Sequence, residues 1–158
     1  MIVSFTGSQS GMTIFQRKNL AEKLKAIGIT ELVHGDCIGS DLIANELGIE
    51  VGCKFFYLFP SVFNAKRAFA FPDSQVKEIW LDWKDGVRYK LHAPMKPLER
   101  NRLIVEQSPL LIATPKEFAH TLRSGTWATI RYAWKLKKDV IIIPPVKGEE
   151  EEQDEQNR

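Results

Sequence analysis

The sequence predicts an α/β fold with a doubly wound parallel sheet of about five strands and helices on both faces. Short apolar runs rich in β-formers alternate with segments of helical periodicity, which is the pattern of β-α-β units. Glycine-bearing loops follow several of these runs, and 158 residues suffice for one domain with a full core. Right-handed crossovers that reverse direction once would then give a Rossmann-like sheet with the strand order 3-2-1-4-5.

The first half of the chain repeats a unit of strand, glycine-bearing loop and helix. Residues 2–6 are the first predicted strand, and Thr13 opens a capping-box sequence at the start of a helix that Gly28 ends. Residues 31–34 are the second predicted strand, and the loop 35–41 leads into the next helix. Two such units in succession favour parallel rather than antiparallel strands.

The second half continues the alternation after an interruption. Residues 51–59 form the third predicted strand, and residues 60–94 show no sustained period, so we predict an irregular excursion with short elements. Its aromatic residues are open to two interpretations, stacking on a base or core packing. Residues 110–113 and 140–143 are the fourth and fifth predicted strands, and a predicted helix precedes each of them.

A turn before the last helix has the features of an anion site. A serine, a glycine and a threonine open an amphipathic helix, whose free N–H groups and dipole can hold a phosphate. The preceding arginine adds a planar charged fork suited to phosphate oxygens. A plain helix cap beside a surface arginine is the alternative interpretation. The residues concerned are Arg123, Ser124, Gly125 and Thr126.

Three glycine-bearing loops are expected to meet at one crevice. The strand order reverses between the first and fourth strands, and ligands of such sheets bind there, outside the carboxyl ends of the strands. The loops 7–13 and 114–126 follow those two strands, and the loop 35–41 lies next to them. Their convergence favours a phosphate-bearing ligand over three unrelated helix caps.

Several side chains of these loops are candidate ligand contacts. Gly7 allows close approach of the backbone, and Ser8 supplies a hydroxyl donor. Asp41 could accept a hydrogen bond from a ribose hydroxyl, although the helix dipole alone explains an acid at that position, and Asp36 is similarly ambiguous. The loop at Gly7 is neither a G-x-G-x-x-G fingerprint nor a Walker sequence, which weakens dehydrogenase and NTPase interpretations.

Two arginines flank an amide at the start of the helix that Pro97 opens. Arg100 and Arg102 lie on different faces of that helix with Asn101 between them, so one of them could reach the crevice while the other is solvated. His and Cys residues share no ligand spacing, and we expect no metal site. The two cysteines do not suggest a disulfide framework.

The charge is distributed unevenly along the chain. Residues 148–158 carry six acidic residues and one basic residue, which leaves 21 basic and 14 acidic residues, a net charge of +7, in the rest. A basic body suits an anionic small ligand or a nucleic acid, and the acidic run has the composition of a disordered tail. No secretory leader or membrane-spanning run is seen, so we expect a cytoplasmic protein without membrane association.

Four segments, in this order and spacing, resemble the SLOG superfamily: residues 2–8, 34–41, 100–102 and 123–133. This superfamily of Rossmann-like domains includes the Lonely Guy phosphoribohydrolases, DNA processing protein A and a branch of small uncharacterised bacterial and phage proteins, and this chain most resembles that branch. The resemblance covers about residues 1–145 except 60–94 and implies one such domain over residues 1–147. It also implies a nucleotide-type ligand, frequent homodimers or higher homo-oligomers, and no required cofactor. The contacts it implies are Gly7, Ser8, Gly35, Gly39, Asp41, Arg100, Ser124, Gly125 and Thr126.

The resemblance also bears on catalysis. In the phosphoribohydrolase branch a catalytic glutamate stands three residues after the threonine of the glycine-threonine turn, and that position here is Thr129. We therefore favour a sensor, carrier or sequestering protein for a nucleotide or phosphorylated nucleoside. The first alternative is an N-glycosidic hydrolase that uses Asp36, Asp41 or Glu99 as its acid. The second is a DNA-binding accessory protein similar to DNA processing protein A.

Overall fold

The structure is a computed structural model that describes residues 1–69 and 78–145. The acidic segment predicted at 148–158 lies outside the described residues. Within them, no helix is both long enough and apolar enough to cross a membrane.

The described residues form one sheet of seven strands. The strands are β1 (Ile2–Gly7), β2 (Glu31–His34), β3 (Phe55–Leu58), β4 (Glu78–Asp82), β5 (Arg88–His92), β6 (Leu110–Thr114) and β7 (Asp139–Ile142). Their spatial order is β4-β5-β3-β2-β1-β6-β7, and every neighbouring pair is parallel except β4 and β5. The five predicted strands are present in the predicted order, which confirms the doubly wound α/β fold. The third is shorter than the predicted 51–59, because Val51 caps α2 and a turn follows it before β3 begins at Phe55.

Four α-helices cover the sheet in the described part of the chain: α1 (Ile14–Ile27), α2 (Ser40–Glu50), α3 (Pro97–Glu106) and α4 (Gly125–Lys135). Leu24 of α1 and Leu47 of α2 pack with Phe5 of β1 in the main apolar core. Ile130 of α4 packs with Leu111 of β6 on the other face of the sheet. Helices on both faces leave the carboxyl ends of the central strands as the place where their loops meet.

The region predicted as an irregular excursion adds two strands to the predicted five. In β4 the inward-facing Ile79 and Leu81 are each flanked by exposed residues. Charged cross-strand pairs, Arg88 with Asp82 and Lys90 with Glu78, lie on the more exposed face, with N···O distances of 2.7 Å in both. Residues 88–92 of β5 do alternate polar and apolar side chains, which is the pattern of a half-buried strand, so the sequence carried a signal for β5. In β4 the exposed Trp80 between Ile79 and Leu81 hides the same alternation.

Helix α1 begins and ends as its sequence predicts, and it also contacts the segments that follow β6 and β7. The Thr13 hydroxyl accepts a hydrogen bond from Gln16 N at 3.1 Å, and Thr13 N donates to Gln16 Oε1 at 2.9 Å, which completes the capping box. The buried Gln16 amide then donates to the carbonyls of Pro115 and Ile143, at 2.7 and 2.9 Å. These bonds tie α1 to the loop after β6 and to the residue that follows β7.

Candidate functional site

A cleft of about 400 Å³ lies at the carboxyl ends of the central strands, between the loops after β1, β2 and β6 and the first turns of α3 and α4. Its volume falls in the range of small-molecule sites, roughly 300–1,000 Å³. Many of the site residues predicted from sequence line it together: Gly7, Ser8, Gly35, Asp41, Arg100, Asn101, Ser124, Gly125 and Thr126.

The start of α4 presents backbone donors to this cleft. Ser124 is the N-cap, and its hydroxyl accepts a hydrogen bond from Trp127 N at 3.2 Å. Ala128 N donates to the Ser124 carbonyl at 2.9 Å. In the described part of the chain, no protein acceptor takes the N–H of Gly125 or of Thr126. Two free N–H groups at the positive end of a helix dipole suit an anion.

Arg100 and Asp41 hold the loop after β2 from two sides. The Arg100 guanidinium, only 7% exposed, donates through Nη1 to the Gly35 carbonyl at 2.8 Å and lies 2.9 Å from Cys37 Sγ. Its Nε donates to Asn101 Oδ1 at 3.3 Å. Asp41 Oδ2 accepts from Gly35 N and Cys37 N, at 3.1 and 3.2 Å. One cation and one carboxylate thus fix the loop and also line the cleft.

Gly7 and Gly39 permit close contact between the loop after β1 and the start of α2. A Cβ on Gly7 would lie 2.5 Å from both Ser40 Cβ and Thr114 Oγ1. Gly39 has a φ of +83°, and a Cβ there would overlap the carbonyl oxygen of Gln9. Gly39 does not line the cleft itself, so its contribution is to let the loop at Gln9 approach α2.

Asp36 lies outside the cleft lining and braces a neighbouring segment. It is fully buried, its Oδ2 lies 3.1 Å from Arg67 Nε, and its Oδ1 accepts from Phe69 N at 3.0 Å. Burial raises the pKa of Asp36 above its usual value, although His34, the Phe69 N–H and Arg67 lower it. The carboxyl group therefore holds residues 66–69 against the loop after β2.

The structure does not bring every predicted arginine into the cleft. Arg123 is exposed and does not line it. Of the two arginines on α3, Arg100 lines the cleft, whereas the exposed Arg102 lies over the Tyr132 ring at 5.6 Å from its centroid. The different helix faces predicted for this pair are thus reflected in two different environments.

Thr129 and Cys37 lie near the site, and their surroundings limit what each can do. The Thr129 hydroxyl donates to the Gly125 carbonyl at 2.9 Å within α4, and the residue is 1% exposed and outside the cleft lining. Burial and the neighbouring Asp41 carboxylate raise the pKa of the Cys37 thiol and Arg100 lowers it, with a net pKa of about 11. At neutral pH Cys37 is thus a protonated thiol and a weak nucleophile.

Three charged residues line the cleft that the sequence analysis did not select: Lys66, Lys116 and Glu117. Lys116 and Glu117 belong to the loop 114–126, which was expected at the crevice. The charges of that loop could therefore have identified both residues as candidate site residues. Lys66 arrives through contacts distant in sequence, since its carbonyl accepts from Ile38 N at 2.9 Å. Among residues 1–69 and 78–145, no group of three or more His, Cys, Asp or Glu side chains is placed to hold a metal ion.

Comparison with known proteins identifies a shared fold. No protein-family model matches the sequence, and no curated protein matches it significantly. An X-ray structure of DNA processing protein A (DprA) from Streptococcus pneumoniae matches with a TM-score of 0.61 and 16% sequence identity. The match covers 98% of this chain and 56% of that chain, so this chain spans little more than half the length of that protein. This structural match confirms the Rossmann-like fold that the sequence resemblance implies. The branch of the superfamily to which the chain is similar stays a prediction.

Proposed function

We propose that the cleft binds the phosphate of a nucleotide or phosphorylated nucleoside, and that the protein acts as a sensor, carrier or sequestering protein. The single observation that carries the proposal is the meeting of backbone donors and cations in one cleft. The free N–H groups of Gly125 and Thr126 share this space with Lys66, Arg100 and Lys116. Helix N-termini and arginine or lysine side chains are the groups that proteins use to hold phosphate.

The same geometry supports binding more strongly than hydrolysis. Among the acids considered for N-glycosidic cleavage, Asp36 is committed to Arg67 and Phe69, and Glu99 is exposed outside the cleft lining. Asp41 does line the cleft, but its Oδ2 already accepts two backbone hydrogen bonds. An acid that must deliver a proton to a leaving group needs access to that group. Phosphate recognition requires no such carboxyl group.

A second candidate function is binding of a DNA strand, and the shared fold with DNA processing protein A favours it. The net charge of +7 outside residues 148–158 is compatible with a polyanion. Salt separates the two functions, because a strand that contacts several cations loses affinity steeply as salt rises. The affinity for a nucleotide held in the cleft by one phosphate should depend on salt much less.

We also propose that the chain is a SLOG domain and that it forms a homo-oligomer. Light scattering would measure the mass of that oligomer.

The experiment is thermal unfolding of the full chain with inorganic phosphate, nucleoside monophosphates, NAD, ADP-ribose and a single-stranded oligonucleotide. A ligand that binds only the folded state raises the unfolding midpoint, by an amount that grows with its concentration. We expect the largest shift with a nucleotide. No shift with any nucleotide would remove the proposal, and a shift with the oligonucleotide alone would favour the second candidate.

Lys116→Gln tests the cation contribution without disturbing the core, because Lys116 is exposed at the cleft. Loss of one charge-assisted hydrogen bond to phosphate should raise the Kd for the bound nucleotide about three- to tenfold, as measured by isothermal titration calorimetry. Lys18→Gln, on the exposed face of α1, removes the same charge outside the cleft lining and serves as the control. Equal effects of the two changes would contradict a specific contribution from Lys116.

A further inference from the structure

Glu117 stands out among the cleft residues because its carboxylate is not used by the protein. Glu117 lines the cleft together with the start of α4, and its Oε2 is buried without a hydrogen-bond partner in the described structure. The other cleft carboxylate, Asp41, differs in this respect, since its Oδ2 accepts from Gly35 N and Cys37 N. Asp41 thus fixes the loop after β2, whereas Glu117 Oε2 can still accept a hydrogen bond from a ligand.

An unpartnered carboxylate oxygen restricts what the cleft can receive. A buried acceptor without a donor is costly, and an ionised carboxylate only accepts hydrogen bonds. It also repels phosphate, so the part of a ligand that meets Glu117 must be a different part from the one that meets the N–H groups of α4. The cleft holds only about 400 Å³, so both features act on one small molecule.

We propose that Glu117 accepts hydrogen bonds from the sugar hydroxyls of the ligand and makes the site selective for ribonucleoside over 2′-deoxyribonucleoside phosphates. The inference rests on the proposed phosphate site, because it assigns the sugar of the same ligand. The sugar is the group bonded directly to the phosphate, and its vicinal hydroxyls offer two donors to one carboxylate. A site built to pair with a hydroxyl discriminates strongly against the analogue that lacks it, because the protein acceptor is then left unpaired.

The experiment compares matched ligands on the full chain by titration calorimetry. AMP, GMP, CMP and UMP are each paired with the 2′-deoxy form, and ribose 5-phosphate is paired with 2-deoxyribose 5-phosphate, so that the sugar is tested without a base. The proteins are wild type, Glu117→Ala and Glu117→Gln, with Glu46→Ala on the exposed part of α2 as the control. The sugar phosphates distinguish a hydroxyl donor from an amino group of the base.

Wild type is expected to bind at least one ribo form about tenfold more tightly than its deoxy partner, the loss for one strong hydrogen bond. Glu117→Ala should weaken the ribo form to about the affinity of the deoxy form and leave the deoxy form as tight or tighter, because a repulsive charge is gone. Glu117→Gln, which keeps a neutral acceptor, should lie between the two.

A merely structural role for Glu117 would instead weaken both ligands alike, and this outcome would overturn the inference. Equal affinity of wild type for ribo and deoxy forms would also overturn it while leaving the phosphate site intact. Absence of binding to every phosphate compound would overturn the proposed function and the inference with it. If Glu117→Ala failed to fold, the isosteric Glu117→Gln and the ribo-to-deoxy ratio of wild type would together decide the matter: an unchanged ratio in Glu117→Gln would overturn the inference.

Discussion

Replacement of Gly39 by alanine is expected to destabilise the protein by about 3 kcal/mol or more, the largest effect on stability of any change considered. The backbone at Gly39 has φ +83° and ψ −122°, a region that side chains rarely adopt. The new Cβ would also overlap the carbonyl oxygen of Gln9, a backbone atom that moves only with its loop. Denaturant unfolding followed by circular dichroism gives the free energy of unfolding.

Gly52→Ala is the matched control for this change. Gly52 has a φ of +98°, but a Cβ there would meet nothing within 4 Å, so the control carries the backbone strain without the overlap. We expect it to cost about 1 kcal/mol. Equal losses for the two variants would mean that contact between the loop at Gln9 and the start of α2 contributes nothing.

Arg100→Met is expected to have the largest effect on ligand binding, a loss of about 100-fold in affinity for the bound nucleotide, or about 3 kcal/mol. Nη1 and Nε of Arg100 already bond within the protein, and Nη2 has no protein partner in the described part of the chain. A cation that is 7% exposed is little screened by solvent, so its attraction to phosphate is strong. Titration calorimetry measures the loss.

Two further variants separate the position of the cation from its charge. Arg102→Met removes the same group from the exposed face of the same helix, where it lies over Tyr132, and should change the affinity less than about twofold. Arg100→Lys keeps a charge but not the planar fork and should retain part of the affinity. If Arg102→Met weakened binding as much as Arg100→Met, the account of the cleft would be wrong.

The sequence predicts much of this fold because local signals and tertiary structure agree. Thr13 and Gly28 bound α1 in the structure as their side-chain chemistry indicates. The strand order follows from alternation and crossover handedness, so the sequence alone predicts that the loops at Gly7 and Gly125 meet at one crevice. The hairpin of β4 and β5 was not predicted, although β5 alternates polar and apolar residues, because the exposed Trp80 hides that alternation in β4 and each strand has only five residues.

The individual contacts of the cleft were harder to predict than its location. Whether Arg100 or Arg102 reached the crevice depended on the orientation of α3, which helical periodicity leaves undetermined. The ion pair of Asp36 with Arg67 joins residues 31 positions apart, so no local pattern indicated that Asp36 braces the fold. Lys66 reached the cleft through the same long-range contacts. The contacts of individual side chains thus depend on tertiary packing, which the sequence pattern does not reveal, whereas the glycines that mark the loops can be identified from the sequence.

The central claim, that the first N–H groups of α4 bind an anion, is tested most directly by Gly125→Pro. Proline at the first position of a helix removes one N–H and keeps the helix. Ser124, with φ −78° and ψ 129°, already has the conformation that a following proline requires, and a Cβ at Gly125 meets nothing within 4 Å. The variant should therefore unfold at or above the wild-type temperature.

Gly125→Ala is the matched control, because it fills the same open space and keeps the N–H. Titration with AMP and with inorganic phosphate should show a loss of affinity of about tenfold for Gly125→Pro and little change for Gly125→Ala. That result would establish the backbone at the start of α4 as the phosphate site. Equal affinity of the proline and alanine variants for both compounds would contradict the account.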